Sequence, residues 1–90
     1  MDLKQAMREA IANEEALRQA RSHVEFHLDE AARLDEILHA LTGLQLWHSC
    51  IRGVDYWLWR DAPGHRMSIY YTSVLDAYQA LESDCIQWQE

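Results

Sequence analysis

The chain has 90 residues, of which 49% are hydrophobic, and it carries a net charge of −7 at neutral pH. That length corresponds to a single domain, residues 1–90, whose core is too small to hide many large side chains. An acidic chain is repelled by DNA, RNA and anionic lipid, so direct nucleic-acid binding and membrane binding are not expected. If charge selects the partner, the partner is basic, although acidity alone would also favour solubility.

Two cysteines, Cys50 and Cys85, bear on where the protein works. The N-terminal residues lack the apolar segment of a signal peptide, and no run approaches the roughly 18 apolar residues of a membrane span. We therefore expect a cytoplasmic protein with two reduced thiols, both acting as small buried apolar residues. A disulfide between them is the alternative if the chain is exported by another route.

The first predicted element is a long helix over residues 2–42, a stretch without Gly or Pro. Its apolar and small residues keep one heptad phase through six repeats, which predicts a continuous helix with a coiled-coil-like seam. Asp2 is placed to cap this helix, and Gly43 to end it in a left-handed conformation. The alternative is a break near Ser22, where a second capping box begins.

An unbroken first helix has a consequence for assembly. At 1.5 Å per residue it would reach about 60 Å, whereas a compact domain of this size is roughly 30 Å across. The helix would therefore extend beyond its own domain, and its seam would need a second chain there. This argument predicts a homodimer formed through the seam.

Two shorter helices are predicted after the first. An apolar stripe indicates a helix within residues 44–60, and another indicates a last helix from Met67 to Trp88. Between them, Pro63 and Gly64 fit the middle of a type II turn, with Ala62 held outside helical geometry. The predicted fold is therefore all-α.

The alternative fold is α+β with a β-hairpin at 54–72. Residues 54–60 and 66–72 are rich in Tyr, Trp and Ile and flank the predicted turn. In that case Ser73 and Asp76 would cap a shorter last helix.

Histidines and carboxylates offer only weak signals for a metal site. His23 and His27 lie one helical turn apart, with Glu30 on the same side, and such a pair can bind one metal ion. Glu36 and His39 have the Glu-x-x-His spacing of di-iron sites in helical bundles, but the second copy that these sites need is missing. Packing or solvation explains both sets more simply, so we expect no metal or cofactor. An oligomeric, ferritin-like metal-binding protein is kept as an alternative function.

Residues suited to catalysis are not grouped in this sequence. On a helix, His48 and Cys50 would point in nearly opposite directions and would not form a base and a nucleophile. No Gly-rich phosphate loop or hydrolase elbow is present. We therefore do not expect an enzyme.

Aromatic and basic residues are concentrated between Trp47 and Tyr71. Trp, Tyr and Arg dominate the energetic centres of protein interfaces, so this stretch predicts a partner-binding surface, with an ordinary core as the alternative. The predicted contact residues are Trp47, Arg52, Tyr56, Trp57, Trp59, Arg60, Tyr70 and Tyr71.

These features predict a small, acidic, non-enzymatic protein–protein interaction module. It would be an inhibitor or adaptor that docks its aromatic residues on a basic partner, including one that handles nucleic acid, while its acidic faces steer the approach. Small inhibitors encoded by phages share this size and charge, although no motif supports that likeness. A structural coiled-coil adaptor that works through the first helix alone is the other alternative.

Overall fold

A computed structural model describes residues 1–61 and 63–90, which form helices and a β-hairpin. The elements are α1 (Leu3–Gln19), α2 (Val24–Thr42), β1 (Leu44–Ile51), β2 (Val54–Asp61) and α3 (Val74–Glu82). The predicted all-α fold is therefore wrong. The alternative class, α+β with a hairpin, is confirmed.

The first 42 residues form two antiparallel helices instead of one. α1 ends at Gln19, and α2 begins after His23, whose backbone is left-handed with a φ of 60°. The break near Ser22 is thus confirmed, although no side chain caps the start of α2. Folding back lets the apolar stripes of the two helices bury each other, which a single straight helix would leave exposed. The heptad phase gave no sign of this because it continues unchanged across the break.

The expected ends of this helical region are confirmed. Oδ1 of Asp2 accepts a hydrogen bond from the Gln5 backbone N–H at 2.8 Å, and Gly43 has a φ of 73°. The molecule measures 40 × 36 × 21 Å, so none of the described helices extends beyond the domain. The overhang from which a seam dimer was predicted does not exist among the described residues.

Residues 44–60, predicted as a helix, form the hairpin of β1 and β2. Arg52 and Gly53 make its two-residue turn, and both have positive φ, at 53° and 78°, as a type I′ turn requires. The register runs from Ile51 opposite Val54 to Leu44 opposite Asp61. Aromatic and β-branched residues favour strands, and here they outweigh an apolar spacing that also fitted a helix.

Two further segments widen the hairpin into a larger sheet. Trp57 exchanges two backbone hydrogen bonds with Tyr71, at 2.9 and 2.7 Å, and residues 67–69 bond in turn to residues 87–89. The pairing foreseen within 54–72 is therefore present, next to the β1–β2 pairing that was not foreseen. β2 lies inside the sheet, and β1 lies at its edge.

The last helix is shorter than the one predicted from Met67 to Trp88. Oγ of Ser73 accepts a hydrogen bond from the Asp76 backbone N–H at 3.0 Å, so α3 starts with the cap of the alternative prediction. Gly64 has a φ of 77°, in agreement with a turn at this point. The expectation for Ala62 lies outside the described residues.

α2 and α3 contact the strands, α1 packs against both of these helices, and the core lies between the helices and the sheet. Trp59 reaches from the sheet into this core, where it is 1% exposed and packs near Tyr78. Its indole N–H donates to the Ala77 carbonyl oxygen at 2.9 Å. None of the described helices has the length and apolarity needed to cross a bilayer.

Candidate functional site

The aromatic residues of the sheet lie on two different faces, because successive side chains of a strand point to opposite sides. The inner face lies against the helices and carries Leu44, Leu46, Trp57, Trp59 and Tyr71. The open face is covered by none of the described helices and carries Trp47, Ser49, Ile51, Val54, Tyr56, Leu58 and Arg60, with Met67 and Tyr70 from the next segment.

At the centre of the open face, large side chains from neighbouring strands pack against one another. Trp47 is 45% exposed and lies opposite Leu58, which is only 5% exposed. The guanidinium carbon of Arg60 lies 4.2 Å from the centre of the Trp47 ring. The rings of Tyr56 and Tyr70 are 5.8 Å apart. These contacts hold several rings in fixed positions before any partner arrives.

Arg60 is the charged group of this face, and it has unused hydrogen-bonding capacity. Its Nε is buried and has no hydrogen-bond partner among the described residues. A side chain at position 64 would place its Cβ 2.5 Å from an Arg60 terminal nitrogen, so Gly64 gives the guanidinium room to lie flat. Stacking on Trp47 thus orients a cation that lacks an acceptor for its Nε–H.

Charge is distributed unevenly between the two sides of the molecule. The three helices carry ten of the fifteen acidic residues but four of the eight basic ones. Asp55 and Asp61 of β2 lie opposite Cys50 and Leu44, on the inner side of the sheet. No carboxylate is found among the residues that form the open face. The open face of the sheet therefore lacks the acidic side chains that the helices carry, which the sequence did not indicate.

The predicted contact residues are divided by this alternation. Trp47, Tyr56, Arg60 and Tyr70 lie together on the open face, Trp57, Trp59 and Tyr71 lie on the inner face, and Arg52 lies in the hairpin turn. Four apolar members of the open face were missed, namely Ile51, Val54, Leu58 and Met67. The alternation along β2 would have grouped two of them, Val54 and Leu58, with Tyr56, had that stretch been interpreted as a strand.

The two cysteines are both free and exposed, so the prediction that they are buried is wrong. The opposed orientation predicted for His48 and Cys50 is also wrong, because residues two apart on a strand share a face. Nε2 of His48 lies 2.8 Å from Oδ1 of Asp55, and both side chains are more than half exposed. An imidazole held by a carboxylate beside a thiol can activate a nucleophile. Here it lies open to water, without the enclosed surroundings that such chemistry uses.

The candidate metal ligands are engaged elsewhere. Nδ1 of His27 lies 2.9 Å from Oδ1 of Asn13, and Glu30 accepts two hydrogen bonds from Arg33. His23 occupies the left-handed position before α2. No group of three or more His, Cys, Asp or Glu side chains in the described chain is arranged to hold a metal ion. A ferritin-like site would also need a helical bundle, which this α+β fold does not form.

A buried acidic group joins the three helices. The Tyr78 hydroxyl of α3 donates to Oδ1 of Asp35 on α2 at 2.5 Å, and Glu14 of α1 is 8% exposed nearby. Burial raises the pKa of both carboxyls, and for Glu14 the cation of Arg18 partly offsets this effect. Burial, followed by the charge of Asp35, raises the Tyr78 pKa. Tyr78 and Asp35 are hydrogen-bonded to each other, which indicates that this group has a structural role.

A cleft of about 390 Å³ separates α2 from the start of β1. It is lined by Asp35, Glu36, His39, Gln45, Leu46 and Trp47. Trp47 belongs to both the cleft and the open face, so the two features are continuous.

Comparisons with known proteins give no further guidance, since no family model, curated protein or solved structure matches this chain.

Proposed function

We propose that the protein is a small, non-enzymatic interaction module that binds a protein partner through its open face. The observation that supports this most strongly is a sheet face with an apolar centre and no covering helix among the described elements. A solvated face of an antiparallel sheet normally carries polar side chains. A patch of exposed aromatic and aliphatic residues instead marks a surface that another molecule covers.

Binding would work by covering this face with an apolar surface. Trp47 and Tyr70 would be the main contacts, because rigid aromatic side chains bury much area at little cost in conformational entropy. Arg60 would require a carboxylate or carbonyl oxygen from the partner, placed to accept from its guanidinium. As an inhibitor, such a module would act by blocking the surface that it occupies.

The net charge of −7 would act on the approach more than on the contact. It attracts a basic partner, including one that handles nucleic acid, and accelerates association at low salt. The contact itself would be made by a face without carboxylates. We further propose a cytoplasmic location, where the exposed thiols of Cys50 and Cys85 would stay reduced.

The test is affinity purification from the native host with matched variants. Trp47→Ala removes the central ring of the open face, whereas Phe26→Ala removes a ring that is 62% exposed on α2, away from the sheet. We expect Trp47→Ala to weaken partner binding by about 2 kcal/mol, and Phe26→Ala to leave it unchanged. Urea unfolding of both variants would verify that they fold like the wild type.

The result with Phe26→Ala also decides between functions. Loss of the partner with this variant alone would favour the coiled-coil adaptor, which works through the first two helices. Retention of the partner by both variants would contradict the open-face proposal. Increasing NaCl should slow association of the wild type, while Trp47→Ala should mainly accelerate dissociation.

A further inference from the structure

β1 provides the sheet with a free edge. The Trp57 backbone N–H donates to the Tyr71 carbonyl oxygen, and the Trp57 carbonyl oxygen accepts from the Tyr71 N–H. His48 lies opposite Trp57 in the register, so its own backbone groups point away from β2. By the alternation of the strand, the same holds for Leu46 and Cys50. None of these three outward-facing backbones has a hydrogen-bond partner among the described residues.

This edge lacks the features that usually protect an exposed strand. At its start, the Leu44 N–H donates to Oγ1 of Thr42 and the Leu44 carbonyl lies 3.3 Å from Nδ1 of His39. The rest of the strand, through Ile51, is free along its outer edge in the described chain and contains no Pro, Lys, Arg, Asp or Glu, although charged residues and Pro are the common means of blocking strand addition. The other edge of the sheet is the short segment 87–89, where the guanidinium of Arg66 stacks 4.0 Å from the Trp88 ring. β1 is therefore the edge at which another strand can add.

We propose that β1 pairs antiparallel with β1 of a second copy of this chain. Antiparallel pairing of identical edges generates a closed twofold dimer. One register employs all three outward-facing residues of both copies, and its axis passes His48. That register places Leu46 opposite the second copy's Cys50, and His48 opposite the second copy's His48.

Charge complementarity identifies a second copy as the occupant. The same register places Arg52, in the hairpin turn, opposite the second copy's Leu44 and next to the cleft that Glu36 lines. Arg52 makes no ion pair within the described chain, and the twofold axis would bring each Arg52 toward the second copy's Glu36. Between these ends β1 has no Lys, Arg, Asp or Glu, so two acidic chains meet where their repulsion is weakest.

Pairing through β1 would also join the two open faces. A twofold axis perpendicular to the sheet keeps both open faces on the same side, and Trp47 becomes the diagonal neighbour of the second copy's Trp47. The result is one continuous sheet with a doubled aromatic surface. The pairing itself does not depend on the partner proposed above, because it employs the strand edge and not the face.

Sedimentation equilibrium of the full chain, over a concentration series up to the millimolar range, tests this proposal. We expect a dimer that Arg52→Glu and Glu36→Arg each weaken by about tenfold, because each change turns two attractive contacts into repulsive ones. An equimolar mixture of these two variants should dimerise as strongly as the wild type, since each contact then pairs opposite charges. Arg21→Glu makes the same change of charge away from β1 and should have no effect.

His48→Lys provides a second measurement at the axis itself. It places two like charges opposite each other at an exposed position, so it should give a monomer with an unchanged far-ultraviolet circular dichroism spectrum. A wild type that stays monomeric throughout the series would overturn the proposal. So would a dimer that tolerates His48→Lys, or a mixture of the two charge variants that fails to restore association.

Discussion

The two faces of the sheet contain the same kinds of residues in opposite surroundings. Trp59 of the inner face is 1% exposed, and its indole N–H donates to Ala77. Trp47 of the open face is 45% exposed, and its indole N–H reaches only the neighbouring Gln45 side chain, at 3.4 Å. The contrast teaches that the role of a Trp here depends on the side of the strand from which it projects. A shift of one residue in either strand would exchange the two roles.

The largest expected effect comes from truncating one Trp on each face. Trp59→Ala should cost about 3–5 kcal/mol of unfolding free energy, because it leaves a cavity between sheet and helices. Trp47→Ala should cost less than about 1 kcal/mol, because water already reaches that ring. Urea unfolding measures both values. Similar losses for the two variants would contradict the division into faces.

Replacing Ser68, a buried residue beside Trp59, should give a smaller loss of stability than replacing Trp59. Ser68 is fully buried, and its Oγ accepts a hydrogen bond from the Trp59 backbone N–H at 2.8 Å. Ser68→Ala leaves that N–H unpaired and should cost about 1–3 kcal/mol. Ser49→Ala, on the open face, is the matched control and should stay within about 0.5 kcal/mol of the wild type. Thermal unfolding of the two variants would reveal the difference.

Beneath the inner face, Glu14→Gln should stabilise the protein by up to about 1 kcal/mol at pH 7, since it removes a charge that burial disfavours. Burial raises the pKa of Glu14 from 4.5, so the folded state binds this proton more tightly than the unfolded state. The carboxyl therefore favours folding when protonated, and that contribution is lost as pH rises through the folded pKa.

The advantage of Glu14→Gln should consequently be full at pH 7 and shrink as pH falls toward 4.5, the ordinary value for this carboxyl. Urea midpoints measured across this pH range would follow it. Glu15→Gln is the control, because Glu15 is exposed on the same helix. A difference from the wild type that does not vary with pH would rule out a raised pKa as its cause.

The smallest expected effect is a change in the fraction of tryptophan fluorescence that iodide can quench. Iodide quenches only rings that it can reach, so Trp47→Phe should remove more of the quenchable fluorescence than Trp59→Phe. Spectra recorded with and without iodide give the comparison. Should Trp59→Phe remove the greater share, the ring assigned to the core would have to lie in solvent.

Local features of the fold were predictable from the sequence. The caps at Asp2 and Gly43 were expected and are present, because each depends on residues within one helical turn. The break before α2 and the strands at 44–61 were not part of the favoured prediction. Both follow from burial against distant segments: α1 against α2, and Trp59 against Ala77.

The sequence identified only part of the candidate site, because residue type is visible in a sequence but the face of a strand is not. Trp47, Tyr56, Arg60 and Tyr70 were selected by residue type, since Trp, Tyr and Arg are recognisable without a fold. Placing them on the opposite face from Trp59 requires the two-residue repeat of a strand, whereas the prediction assumed the repeat of a helix. The uncovered edge of β1 could not be predicted at all, because it depends on the order of strands in the sheet.

The sequence by itself determined the acidity, the helix caps and the concentration of aromatic residues in the middle of the chain. These properties are set by composition or by neighbours three or four positions apart. Only the tertiary structure decided that the open face of the sheet has no carboxylates and that the outer edge of β1 has no neighbouring strand among the described residues. The physical reason is that burial is shared between segments far apart in the chain, and the side of a strand that the helices cover is fixed only when those segments meet.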